Sequence, residues 1–271
     1  MLDIKSISTP HDPLILQLKK EWCGSLWRMT IALVIVALCF FYTGLLDTKR
    51  LLEGIPSIIG LILESMPPNF HDAGTWFKPL ADTLAMSVAG TALSVAISLP
   101  LSLLAARNTS PHPIVYHVAR GILNGLRSIP ELIMGILFVA AVGFGALPGV
   151  LALGLHSVGM VGKFFAESIE HASEGPIEAV KSSGAGSLQV ILHGVLPQVV
   201  PHMADVTIYR WEYNFRASTV MGMVGAGGIG LELMSSLRIM QYKDVSAILL
   251  VILIMVTIVD GAGSFLRKRF K

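Results

Sequence analysis

From Thr83 to Ala106 the chain carries no charged residue. A helix needs about 20 mostly apolar residues to cross the roughly 30 Å hydrocarbon core of a bilayer, and this run supplies them. It does not stand alone. Met29 to Leu46 reads MTIALVIVALCFFYTGLL, and comparable runs recur at about Ser128–Gly145, Leu147–Ala166, Leu196–Phe215 and Val245–Gly263. With the run at Leu80–Ala106 they make six expected spans. The composition agrees: 53% of residues are hydrophobic and 14% charged, against about 25% charged in soluble domains. So apolar a chain is not disordered. A net charge of +2 argues against a nucleic-acid binder, and the scarcity of charge against a soluble enzyme. The expected class is an all-α, multi-pass integral membrane protein in a lipid bilayer.

The first run lies too deep in the chain to be a cleaved signal peptide, so it reads as a retained helix, with Trp22 and Trp27 at the headgroup level. Cys23 and Cys39 have neither disulfide nor metal-ligand spacing and read as free thiols. Leu51 to Phe70 is shorter in its apolar part, carries Glu53 and Glu64, and is broken by Pro56 and Pro67-Pro68. It reads as an interfacial helix in an outer loop. Six spans place both termini on one side. Taking that side as cytoplasmic puts thirteen of the twenty Lys and Arg inside, from Lys5, Lys19, Lys20 and Arg28 to the tail Arg267–Lys271. Five fall outside, and Arg210 and Arg216 lie in the fifth span or at its end. The positive-inside rule therefore predicts cytoplasmic N- and C-termini.

The loop after the fourth span, residues 167–194, has an unusual order. Gly175-Pro176 marks a turn, and Pro176 suits the first position of a helix. Glu178-Ala179-Val180 makes one helical turn, Gly184 and Gly186 end it, Leu188–Leu192 is apolar, and Leu196-Pro197 opens the fifth span. A short surface helix that inserts into a groove on a partner fits this pattern. An ordinary re-entry turn with a good cap fits it as well.

The spacing Glu178-Ala179, Gly184, Leu196-Pro197 resembles the EAA loop of ABC importer permeases. Val180 stands where the family has Ala, and Gly194 where it has Ile. The likeness extends over about residues 80–265. The segment RSIPELIMGILF (127–138) is similar to the permease core, and HSVGMVGKFFAESIE (156–170) with WEYNFRASTVMGMVGAGGIG (211–230) is most similar to the phosphonate branch, whose related members take phosphite or hypophosphite. The resemblance implies the type I importer permease fold. It divides the chain into 1–79 (N-terminal segment, first span and outer loop), 80–265 (permease core) and 266–271 (basic tail). It also implies coupling to ATPases through Glu178, Ala179, Val180, Lys181, Gly184, Leu196 and Pro197. The implied partners are a second permease copy, two ATPase subunits that hold ATP and Mg, and a periplasmic binding protein. The implied place is the bacterial inner membrane. No cofactor, metal or catalytic residue is expected in this chain, and no G-x-x-x-x-G-K-[ST] occurs. The implied cargo is phosphonate, phosphite or hypophosphite. The alternatives are a permease for an amino acid or a quaternary amine, and an ion-coupled secondary transporter.

Ionisable residues at membrane depth are functional candidates. The fifth span holds Asp205, Arg210, Glu212 and Arg216. Arg210 lies thirteen residues beyond Pro197, or about 20 Å along a helix, near the midplane. Glu212 and Arg216 share a helix face and are expected to pair. Arg210 is left to meet Asp205, another helix, or an anion on its path. Arg210, Glu212, Arg216 and His156 are therefore the path candidates, with Lys163 and His202 weaker ones. Asp260 is expected to meet Arg267 or another helix. Gly225–Gly230 matches G-x-G-x-x-G, but that pattern binds dinucleotides only between a strand and a helix. Gly222, Gly225, Gly227, Gly228 and Gly230 read instead as an outer gate of sharp bends and close helix contacts.

Overall fold

A computed structural model describes the backbone of residues 12–270, and side chains at Trp22 and from Gly24 to Phe270. Lys5 and Lys271 lie outside the described residues, as do the side chains of Lys19, Lys20 and Cys23. Among the described residues every regular element is helical. The chain divides into two compact units, residues 1–63 and 64–271.

The first unit holds α1 (Asp12–Tyr42) and α2 (Thr48–Glu64). Gly44, at φ +72°, ends α1, and the Leu45 N–H reaches back to the Phe40 carbonyl. Asp47 then caps α2 by accepting from the Arg50 N–H. Contrary to expectation, α2 runs through Pro56 and ends ahead of Pro67-Pro68. A single proline removes one backbone hydrogen bond and kinks a helix, while the apolar stripe of Leu51, Leu52, Ile55, Ile59 and Ile62 continues on one face.

The second unit is built on α3 (Phe77–Ala105) and α6 (Ala146–Glu170), its most extensively packed pair. The inward face of α3 is small and polar: Thr83, Ser87, Thr91, Ser94, Ser98 and Ser102 are all buried. Most of these hydroxyls donate to carbonyls one turn back in their own helix, as Thr91 does to Ser87 at 2.7 Å. Ser98 donates across to the Val158 carbonyl of α6. Small side chains let helix backbones approach, which is how helices associate without a hydrophobic drive.

The expected third span is bent. α4 (Pro113–Ser128) and α5 (Glu131–Val142) meet at 86°. Pro130 lacks an N–H, and the Ile129 before it is extended. At 12 residues, α5 is about 18 Å long, too short to cross alone. Beyond α6 come α7 (Glu174–Ser182) and α8 (Ser187–Val190), which passes through a π-turn at Ile191–Val195 into α9 (Leu196–Met221). Then follow a glycine-rich turn, α10 (Ile229–Arg238) and α11 (Tyr242–Phe270). Four helices are long and apolar enough to cross a membrane, and the two bent pairs raise the total to as many as six.

Helix backbones also approach closely where α4 crosses α6. A Cβ at Gly159 would lie 2.7 Å from both the Arg127 nitrogen and the Leu123 carbonyl oxygen. Gly159→Val is therefore expected to destabilise the protein by about 1–3 kcal/mol, read as a lowered melting midpoint in detergent. Gly125→Ala, which meets nothing within 4 Å, is the control expected to leave the midpoint in place.

Candidate functional site

A guanidinium buried at membrane depth has to be hydrogen-bonded, because an unpaired charge there is costly. Arg210 is 3% exposed. Its Nε donates to Ser157 Oγ at 2.8 Å, and Ser157 Oγ donates to Asn214 Oδ1 at 3.0 Å. Asn214 Nδ2 then donates to Thr91 Oγ1 at 2.9 Å. This chain of bonds joins α9, α6 and α3 and fixes where the guanidinium points. The guanidinium carbon lies 4.2 Å from the Tyr213 ring centroid, a cation–π contact. Tyr213 Oη donates to Glu131 Oε1 at 3.1 Å. His156 places Nδ1 3.1 Å from the Ile129 carbonyl and Nε2 3.9 Å from Glu131 Oε2. The carbonyl accepts only, so Nδ1 carries the proton. Arg210 Nη2 and Glu131 Oε2 are buried without a hydrogen-bond partner.

The expected Glu212–Arg216 pair does not form; each residue reaches across to α11 instead. Arg216 Nη1 meets Asp260 Oδ2 at 3.4 Å. The two carboxylate oxygens of Glu212 lie 2.8 and 3.1 Å from the terminal nitrogens of Arg267. Gly263 opens the space for this, since a Cβ there would collide with Glu212. Antiparallel packing of α11 sets opposite charges level with both α9 residues, and bidentate geometry favours arginine–carboxylate pairs. Asp205 lies 4.0 Å from Arg267 Nε, not at Arg210; five residues along a helix turn the two to different faces. Asp260 has thus met another helix. Lys163 pairs with Glu167 at 3.6 Å, and His202 lines a separate cleft with His171 and Gln198.

In the loop, α7 begins after Ser173, so Pro176 takes its third position and not its first. Glu178, Ala179 and Lys181 are exposed and Val180 is half-buried. Gly184, at φ +81°, turns the chain toward α8. Leu196 and Pro197 open α9. The departure at Gly194 has a packing cause. A Cβ there would sit 3.3 Å from the Ile177 Cα, so glycine seats α7 against the start of α9. Gln198 completes the seat, accepting from the Ser173 N–H and donating to the Gly194 carbonyl. Beside the loop, Glu170 ends α6 by accepting from the Arg107 N–H and pairing with Arg120 at 2.9 Å. Tyr116 lies against both arginines. Its hydroxyl accepts from Arg107 and raises that guanidinium further above its ordinary range.

The five glycines form a hinge between α9 and α10. Gly225, Gly227 and Gly228 all have positive φ. Cβ atoms at Gly222 and Gly230 would strike the backbones of Gly227 and Thr219. The Ile229 N–H is held by Thr83 Oγ1 of α3, and Phe144 lies against Gly225. The element before this turn is a helix, which is not the setting of a dinucleotide fingerprint.

The family of binding-protein-dependent transport system inner membrane components matches residues 98–271. This chain belongs to that family. It is 66% identical over 250 residues to the phosphite transport system permease protein PtxC of Stutzerimonas stutzeri, covering 92% of this chain and 91% of the relative. It is 46% identical over 206 residues to the phosphate-import permease protein PhnE of Mycolicibacterium smegmatis, covering 76% of this chain and 39% of that protein. In fold it is similar to an inward-facing MetNI methionine ABC transporter chain, at a TM-score of 0.63 and 22% identity over 72% of this chain and 96% of that one. The protein is thus a multi-pass ABC-type permease subunit with no ATP site of its own, from a family that works with ATPase subunits and binding proteins.

Sequence reasoning found Arg210 and His156 in the permease but missed Glu131, Ser157, Tyr213 and Asn214. Tyr213 and Asn214 stand three and four residues past Arg210, the spacing of helix neighbours, and that was the available signal. Removing one partner of a buried pair costs about 3–5 kcal/mol. Arg267→Ala is expected to lose that much stability, and adding Glu212→Gln to recover most of it, as read from detergent melting curves.

Proposed function

We propose that this permease is the transmembrane subunit of an ATP-driven importer of phosphite or a related reduced-phosphorus oxyanion. The carrying observation is the Arg210 guanidinium. It is buried in α9, aimed by three helices, and keeps Nη2 unpaired. It sits in a chain closely similar to a phosphite permease. A buried membrane cation with a spare donor suits a passing anion. It does not suit a quaternary amine.

In this reading two copies face each other across one path, in the bacterial inner membrane with both termini cytoplasmic. His202, Tyr209 and Arg216 form an exposed line along α9. α2 lies in the outer interface through its apolar stripe. The domain divisions remain 1–79, 80–265 and 266–271. Two ATPase subunits, which carry ATP and Mg, grip α7 at Glu178, Ala179, Val180 and Lys181. The grip reaches Arg210 because α8, the π-turn and α9 form one continuous helical stretch from Ser187 to Ala226. Gly184 is the joint at one end of the lever, and Gly222–Gly230 the outer gate at the other. A nucleotide that binds the two permease states unequally shifts their populations, which is alternating access.

In vesicles holding the permease, its ATPase and its binding protein, phosphite uptake is expected to require ATP. Arg210→Ala is expected to lower it about tenfold or more at unchanged membrane content. Equal uptake by that variant rejects the path assignment. Cysteine placed at Glu178 or Lys181 is expected to cross-link to the ATPase. Absence of any cross-link along 174–183 contradicts the lever.

A further inference from the structure

An anion path with a carboxylate set into it needs an explanation, because a carboxylate repels an anion as strongly as an arginine attracts it. Glu131 is that carboxylate. It is the first residue of α5, directly after the Ile129-Pro130 bend. Tyr213 links it to Arg210: the ring covers the guanidinium, and the hydroxyl donates to Glu131 Oε1. Each of the two residues so linked carries an orphaned buried atom, the donor Arg210 Nη2 and the acceptor Glu131 Oε2. His156 Nε2, at 3.9 Å, is beyond hydrogen-bond reach of Oε2. The Glu131 side chain as a whole is 21% exposed, while Oε2 itself is buried.

We infer that Glu131 is a specificity-determining residue, and that its free carboxylate oxygen accepts the hydrogen bond of an acidic P–OH on the transported oxyanion while Arg210 takes an ionised oxygen. The inference rests on the reading of Arg210 as the anion's contact. An ion of formula HP(O)(OH)O⁻ supplies what both orphaned atoms lack. Sulfate carries no proton at neutral pH. It leaves the buried acceptor unpaired and sets a second negative charge against it. A site built to hydrogen-bond a substrate hydroxyl rejects an analogue lacking it far more strongly than size alone allows. Rejection then comes from a repulsive element built beside the attractive one. The Tyr213 bond occupies Oε1 and leaves Oε2 as the unpaired acceptor.

The test is equilibrium binding to the permease–ATPase complex in lipid nanodiscs, without the binding protein, so that its selectivity does not enter. Three probes are compared: phosphite, its monomethyl ester (the same single charge with no acidic hydroxyl), and sulfate. The wild-type complex is expected to prefer phosphite over both others by about tenfold to a hundredfold. Glu131→Gln keeps the side-chain shape and an acceptor for Tyr213, but turns a donor toward the ligand. It is expected to bring the three affinities within about threefold of one another. Tyr213→Phe removes the tether but leaves the carboxylate. It is expected to keep the preference, which separates recognition from a loss of local structure. Wild-type complex that takes phosphite and its ester equally, or Glu131→Gln that still rejects the ester, overturns the inference. If phosphite binds the wild type no better than it binds Arg210→Ala, the anion site itself fails, and this inference with it.

Discussion

A guanidinium in a low-dielectric interior cannot shed its proton, so its surroundings must meet its demands. In this permease the Arg210 side chain is met on one edge by Ser157 and on one face by Tyr213, and the hydroxyl and amide behind it run through Asn214 to Thr91. Those contacts come from three helices that share little sequence proximity. Other features follow from that requirement. The inward face of α3 is made of serine and threonine because it must bring a hydroxyl to Asn214 and still let α6 approach. α6 carries glycine where neighbouring helices touch it. Most of the guanidinium is satisfied, and one nitrogen, Nη2, is left without a hydrogen-bond partner. The Glu212–Arg267 contact is the contrasting case in the same helix, where an opposite charge lies 2.8 Å away.

The same helix joins that network to α7 at one end and to the glycine-rich turn at the other. Gly194 and Gln198 seat α7 on the start of α9, and the glycines from Gly222 onward fold its far end against Thr83 and Phe144. A displacement at α7 therefore acts on a rigid element with a bend at each end. Packed helices switch between discrete arrangements and do not deform continuously, and this suits a two-state transporter.

Much of this was legible in the sequence. Charge-free runs announced the spans, because the bilayer tolerates little else. The Glu178–Pro197 spacing located the loop, because a turn, a helix and a span must follow one another at fixed lengths. The glycine run was read as sharp bends and close helix contacts, and positive φ at Gly225, Gly227 and Gly228 is what such bends require. What escaped was set by tertiary packing. Glu212 and Arg216 have ideal spacing to pair, yet α11 offered each a better partner at the same height, and no periodicity within one helix reports that. The 86° break before α5 was signalled by Pro130, but a straight entry and a right-angled bend look alike in sequence. Glu131 was passed over because it stands at a helix start, where a carboxylate is ordinary; only Tyr213, 82 residues away, marks it as more.

The central claim is that Arg210 touches the transported anion. It is tested most directly by solid-state NMR on the permease–ATPase complex in lipid, with 15N-labelled arginine and phosphite as the 31P partner. The account predicts a phosphorus–nitrogen dipolar coupling to guanidinium nitrogen at a separation of about 4 Å, set by a charge-assisted hydrogen bond. That coupling is predicted to vanish in Arg210→Ala while the remaining arginine signals persist. A coupling that survives in Arg210→Ala, or bound phosphite with no coupling to any arginine, contradicts it.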